Sequence, residues 1–181
     1  MKQLFKNSTL TIAKKLLGMT LIVNHKNITC GGIITETEAY TETDPACHAY
    51  KGKKTKRNQI MFKEAGHIYI YFIYGMYYCL NFVTEKNGYA AAVLIRNIKA
   101  TTGISFIQDN RPQIRSTKNL LNGPAKLVIG LGINSKWNGL SLLNPNCPIQ
   151  LFGKSADHNQ IKISSRIGIS KGKELQWRFY L

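Results

Sequence analysis

An α+β fold is predicted for this chain of 181 residues: one mixed domain built on a curved, mostly antiparallel β-sheet, with flanking helices and a protruding β-hairpin. Three observations predict it. A helical apolar pattern opens the chain, β-branched and aromatic runs parted by short polar turns fill much of the rest, and no repeat or long linker interrupts them. With 44% hydrophobic and 19% charged residues, the chain can bury a core of its own and reads as a single domain over 1–181.

In "NSTLTIAKKLLG", Ser8 is a plausible N-cap, Leu10, Ala13, Leu16 and Leu17 share a helical face, and Gly18 falls where a C-cap belongs. "MTLIV" and "ITCGGIITETEAY", joined by the polar "NHKN", read as a hairpin whose second strand ends at Tyr40. Loop composition runs from Thr41 to Lys56, and "KRNQIMF" makes a short helix that "EAG" breaks. Two apolar strands flank Gly75, and "AAAVLIR" forms another after the turn-like "EKNG". Asn122 and Pro124 supply an N-cap and an early-helix proline to an apolar helix that stops near Gly132. Short late strands are expected around "ISSRIGIS" and "WRFYL".

Twenty-five Lys and Arg against nine Asp and Glu give a formal charge of +16, with a pI near 9.8. Such a balance points to a polyanionic partner, nucleic acid first and an acidic membrane surface second. Cys30, Cys47, Cys79 and Cys147 stand too far apart for Cys-x-x-Cys sites, and no secretory signal precedes them. A reduced, cytoplasmic setting is therefore expected rather than secretion. No apolar run reaches the roughly 20 residues of a spanning helix, so no membrane association is expected.

Glu36, Glu38, Glu42 and Asp44 place four of the nine acids in one short stretch. On a strand Glu36, Glu38 and Tyr40 share a face, with the two carboxylates about 7 Å apart. The pair suits acid–base work, a metal or a solvated strand edge. For a metal, only Asp44 and His48 lie near as further ligands, which is a poor set. His48 and the basic run "KGKKTKR" follow at once, and a carboxylate beside a phosphate-binding strip favours chemistry on a polyanion.

"HIYIYFIYGMYYCLNF" holds much of the aromatic content. Strand alternation sends Tyr69, Tyr71 and Ile73 one way and Ile70, Phe72 and Tyr74 the other. Tyr74, Gly75 and Met76 form a candidate hairpin tip with exposed bulky side chains, suited to stacking on bases or wedging between base steps. Tyr69, Phe72, Tyr77 and Tyr78 are expected in the core.

Together, "ETEAY", a histidine eight residues after its tyrosine, "RNQIMF", "YIYFIYGMYYCLN", "VLIR", "LNGPAKL" and "RIG" resemble the alkyladenine (3-methyladenine) DNA glycosylase family over nearly the whole chain. The resemblance implies excision of alkylated or deaminated purines from double-stranded DNA by base flipping, without metal or organic cofactor. It implies that Glu38 activates water, helped by Arg96, and that Tyr40, His48 and Tyr71 enclose the flipped base while groups of the His48 region, backbone included, read its edge. Asn81 would crowd the amino group of normal guanine, Tyr74 would fill the vacated stack, and Met76 would lie beside it. Lys53, Lys54, Arg57 and Lys126 are candidate phosphate contacts. A monomer with no obligatory protein partner is expected. The competing readings are a non-catalytic nucleic-acid-binding module, a carbohydrate glycosidase using Glu36 and Glu38, and a lyase using a lysine amine.

Overall fold

The computed structural model describes all 181 residues. An eight-stranded, wholly antiparallel sheet organises them, in the order β3-β4-β5-β2-β1-β6, with β7 paired to β8 and β8 to β2. The strands are β1 (Thr20–Asn24), β2 (Thr29–Thr41), β3 (Ile68–Ile73), β4 (Tyr77–Val83), β5 (Ala91–Thr102), β6 (Ile149–Phe152), β7 (Lys162–Ser164) and β8 (Arg178–Tyr180). Three short helices flank them: α1 (Thr9–Leu16), α2 (Ile104–Asp109) and α3 (Pro124–Gly130).

α1 forms where the helical pattern expects it, though Ile12 is buried and Leu10 only half-buried. Ser8 sits at the N-cap position but makes no capping bond. The first-turn donors go instead to Glu85, whose Oε1 accepts from the Thr9 N–H at 2.9 Å and the Thr9 hydroxyl at 2.7 Å. A distant acid thus replaces the local cap and ties α1 to the end of β4. Likewise Gly123, not Asn122, is the N-cap of α3, with Pro124 at its first position. The Asn122 side chain is spent on Asn119 and Lys126.

β2 is the spine of the sheet. Its first half pairs with β1 and its second with β8, while β5 runs along its other edge with irregular register around Gly31 and Glu36. Such bulges bend a strand and increase its twist, which supplies the expected curvature. Alternation along β2 sends Ala39 and Thr37 toward α1, where the Thr37 hydroxyl donates to the Ala13 carbonyl, and sends Glu36, Glu38 and Tyr40 to the opposite face.

The two sheet faces hold separate apolar clusters. The larger, of 30 buried residues, lies between the sheet and the helices and includes Ile12, Leu16, Ile34, Phe82, Ile95, Ile107 and Leu127. Each such side chain contributes about 1.5–3 kcal/mol on burial, and Leu16→Ala would cost about 2–5 kcal/mol through the cavity it leaves. The smaller cluster, with Cys47, Ala49, Met61, Phe62, Tyr69 and Val83, packs the loop after β2 onto the other face.

The β3–β4 hairpin turns at Tyr74 and Gly75, both with positive φ (53° and 69°). Tyr69 is buried as expected, but Phe72 (45% exposed), Tyr77 (38%) and Tyr78 (37%) are not core residues. The hairpin outruns the sheet: β4 pairs with β5 only at Asn81, Phe82 and Val83, so no strand pairs with its outer half on that edge. Sequence patterns also missed two elements, β6 and α2, and the run "ISSRIGIS" is strand only at its start.

Candidate active site

One rung across the sheet builds the site. Tyr69 of β3 pairs with Asn81 of β4, Asn81 with Leu94 of β5, Leu94 with Glu38 of β2, and Glu38 with Arg178 of β8. Directly paired residues point to one face, so Asn81 and Glu38 stand about 10 Å apart, two strand spacings, above the same surface. The long loop after β2 and the hairpin wall this surface into a cleft of about 580 Å³. Glu38, Tyr40, His48, Tyr71, Tyr74, Asn81 and Arg96 all line it.

The Glu38 side chain is fully buried at the cleft floor. Its Oε2 accepts from the Tyr40 hydroxyl at 2.7 Å and from Arg96 Nη1 at 3.3 Å, and its Oε1 accepts from the Ile167 N–H at 2.8 Å. A carboxylate has about four acceptor positions. Three are taken, and the fourth has no partner in the protein.

Glu36 is committed elsewhere. Its Oε1 accepts from Arg96 Nε at 3.0 Å and from Arg178 Nε, and Arg178 continues to the Ser164 hydroxyl at 3.0 Å. Glu36 therefore fixes Arg96 in the plane from which Arg96 reaches Glu38. Glu36 does not line the cleft, which therefore presents one carboxylate where a carbohydrate glycosidase uses two.

The walls are aromatic. The His48 ring meets Tyr71 edge-on at 4.5 Å between centroids, and its Nδ1 lies 3.1 Å from the Tyr69 hydroxyl. Desolvation and then the nearby Arg57 lower the His48 pKa to about 4, so the imidazole is neutral at neutral pH. Burial, and then the charge of Glu38, pushes the Tyr40 phenol well above its ordinary range, and burial does the same for Tyr71. Both remain hydroxyl donors at neutral pH. Asn81 is held by two bonds from its Nδ2, to the carbonyls of Tyr69 (3.1 Å) and Cys79 (3.3 Å).

The remaining predicted residues sit at the mouth of the cleft or outside its lining. Tyr74 reaches the mouth but is 77% exposed, and Met76 beside it is 65% exposed. Arg57 donates to the Phe72 carbonyl at 2.8 Å and sits beside the Tyr71 ring, bracing the hairpin from the loop. Lys53 and Lys54 are exposed on that loop, Lys54 over the ring of Phe62. Lys126 bonds Asn122 at 3.0 Å, next to Pro124 and Ala125 on the cleft wall.

Several site residues escaped sequence reasoning. Asn58 is buried, donates to the carbonyls of His48 and Lys53 and accepts from the Thr55 N–H, and so shapes the loop. The His48 carbonyl, a candidate for reading a base edge, is thereby already engaged. Arg166 pairs with Asp44, both side chains fully buried, so Asp44 is not free to ligate a metal. Ile167 contributes through its backbone, which no side-chain pattern reveals. The only signal was "RIG" as part of the family resemblance.

The fold and site present one buried carboxylate in an aromatic-walled cleft of a strongly basic protein. The chain belongs to the methylpurine-DNA glycosylase family, whose profile matches residues 3–181, and is thus a DNA glycosylase, a DNA-repair enzyme of the hydrolase class. Proteins under the name "Putative 3-methyladenine DNA glycosylase" are similar over full length. That of Carboxydothermus hydrogenoformans is 45% identical over 99% of this chain and 93% of its own. Those of Francisella tularensis (SCHU S4) and Ehrlichia chaffeensis are each 43% identical, over 100% and 99% of this chain and 94% and 91% of theirs. Family membership sets aside the non-catalytic binding module.

Proposed function

We propose that the protein is a monofunctional glycosylase of base excision repair. It flips alkylated or deaminated purines, among them 3-methyladenine, 7-methylguanine, hypoxanthine and ethenoadenine, out of duplex DNA and hydrolyses the N-glycosidic bond to leave an abasic site. One observation carries this reading: the buried Glu38 carboxylate, held by Tyr40, Arg96 and Ile167 with one acceptor position open, faces a cleft walled by His48, Tyr71 and Tyr40.

The free acceptor position of Glu38 takes a proton from water as the water oxygen bonds to the anomeric carbon. The carbon–nitrogen bond breaks, and its electron pair leaves with the base. A cationic alkylated purine departs as a neutral molecule and needs no acid. Its charge also suits the faces of Tyr40 and Tyr71. Asn81, unable to turn aside, stands against the amino group of normal guanine. Tyr74 fills the gap in the stack with Met76 in the minor groove, and Lys53, Lys54, Arg57 and Lys126 contact phosphates. The protein works as a monomer with the DNA in the cytoplasm and needs no protein partner.

Release of free base from duplex DNA carrying 3-methyladenine or hypoxanthine, in single turnover, tests the reading. Glu38→Gln is expected to lose about 10²- to 10⁴-fold in rate while still binding DNA. Full activity in that variant would remove Glu38 from the role. Borohydride is expected to trap no covalent complex; an adduct would make the enzyme a lyase, with Lys171, which lines the cleft, the first amine to replace.

A further inference from the structure

Ile167, Gly168, Ile169, Ser170 and Lys171 form one wall of the cleft, and a single guanidinium holds both ends of that wall. Arg166 precedes it in the chain, and Arg166 Nη2 donates to the carbonyl of Gly172, the residue that follows it, at 3.2 Å. The same guanidinium binds both oxygens of Asp44 and the Ala39 carbonyl (3.0 Å), which anchors the wall to the end of β2. It lies against two rings, Tyr40 at 4.6 Å and Trp177 at 5.4 Å. Gly172 has a φ of +63°, and a Cβ there would stand 2.8 Å from Asp44 Oδ1 and 3.0 Å from Arg166 Nη2.

Stability alone is a poor account of this cluster. A buried ion pair gains little over apolar packing of the same volume because both charges must be desolvated. Arg166 also keeps a buried Nε without a partner, which costs more still. What the cluster does provide is direction. Ile167, the next residue after Arg166, sends its N–H to Glu38 Oε1, while Tyr40, whose ring the guanidinium covers, sends its hydroxyl to Glu38 Oε2.

We infer that Asp44 and Arg166 are positioning residues for the general base: they clamp the 167–171 wall so that its first N–H, and the Tyr40 hydroxyl beneath the guanidinium, converge on Glu38. The inference rests on the reading of Glu38 as the base. Neither Asp44 nor Arg166 touches the reacting atoms. Both act by holding the donors that fix the carboxylate and leave its one open acceptor position toward the cleft.

The test uses the full chain in three variants: Asp44→Asn, Arg166→Lys, which keeps the charge but loses the fork and the stacking, and Gly172→Ala, which forces the clamp apart without removing a charge. Two readouts are followed. In the free protein, amide exchange at Ile167 is expected to be protected in the wild type and faster in each variant. In single turnover on 3-methyladenine DNA, the rate is expected to fall about 10- to 100-fold, with duplex binding retained and the acid limb of the pH–rate profile moved to higher pH. That displacement follows because a carboxylate losing hydrogen-bond donors holds its proton more readily.

A purely structural pair would lower the yield of folded enzyme and leave the acid limb in place. Should Asp44→Asn fail to fold, Arg166→Lys and Gly172→Ala carry the same readouts. Unchanged Ile167 exchange, or an unmoved acid limb at wild-type rate in a folded variant, overturns the clamp. Full activity in Glu38→Gln overturns instead the reading of the base, and the exchange result stands apart from it.

Discussion

The Tyr40 hydroxyl donates to Glu38 Oε2 at 2.7 Å across one period of strand alternation, with both side chains rising from β2 on the same face. Two residues apart in sequence, they form the shortest bond to the buried carboxylate, and the donor is a phenol kept protonated by burial and by the carboxylate itself. Tyr40→Phe keeps the ring beneath Arg166 and removes only this bond. The expected outcome is a folded enzyme destabilised by about 1–3 kcal/mol and slowed at saturating enzyme, read by thermal unfolding and single-turnover base release.

Tyr74 holds a left-handed backbone with φ 53° and exposes 77% of its surface at the hairpin tip. That conformation costs a non-glycine residue about 1–2 kcal/mol, so Tyr74→Gly is expected to raise or preserve the melting temperature. If the ring fills the stack behind a flipped nucleotide, the same variant binds lesion-bearing duplex more weakly and releases base more slowly. A Tyr74→Gly enzyme with wild-type rate would remove the plug from the mechanism.

His48 carries a pKa lowered to about 4 in the fold against an ordinary value of 6.5. Between those two values the unfolded chain binds the extra proton and the folded chain does not, so stability is fully present above pH 6.5 and declines as pH falls toward 4. His48→Gln is expected to flatten that decline. Melting temperatures of both proteins from about pH 7 to about pH 4 check it, and parallel slopes would exclude His48 as a contributor.

Lys53 and Lys54 lie exposed on the loop that Asn58 holds against His48. Removing one side chain that neutralises a phosphate lowers the slope of log K against log salt by about 0.9. The double change to alanine is therefore expected to weaken duplex binding with a shallower salt dependence and little effect on the bound-state rate. An unchanged slope would place the DNA elsewhere. Arg57 is a different case, because its bond to the Phe72 carbonyl braces the hairpin. Arg57→Ala should weaken lesion recognition beyond the effect of one charge.

Much of this molecule is legible locally. The alternation of "ETEAY" places Glu36, Glu38 and Tyr40 on one face, and the folded chain keeps them there. The alternation of "YIYFIY" separates Tyr69 and Tyr71 from Ile70 and Phe72, and Gly75 marks the reversal. These features obey periods of two residues and the steric freedom of glycine, which are properties of a short stretch of chain.

Exposure was less legible. Phe72 and Tyr78 face each other with ring centroids 5.0 Å apart and look like core by composition. They lie open because β4 reaches its neighbour only at the Asn81 end. Capping misled for a related reason, since Ser8 is a sound local cap but Glu85 takes the donors.

By itself the sequence determined the residue types of the site, the face of β2 that carries them, the turn that makes the tip and the basic surface around it. Only the tertiary structure decided which partners hold each carboxylate. Most of them lie far along the chain: Arg96 and Arg178 occupy Glu36, while Arg166 secures Asp44 and brings the Ile167 N–H to Glu38. Hydrogen-bond saturation of a buried carboxylate is set by strand pairing and loop closure across more than a hundred residues, and no local periodicity encodes it.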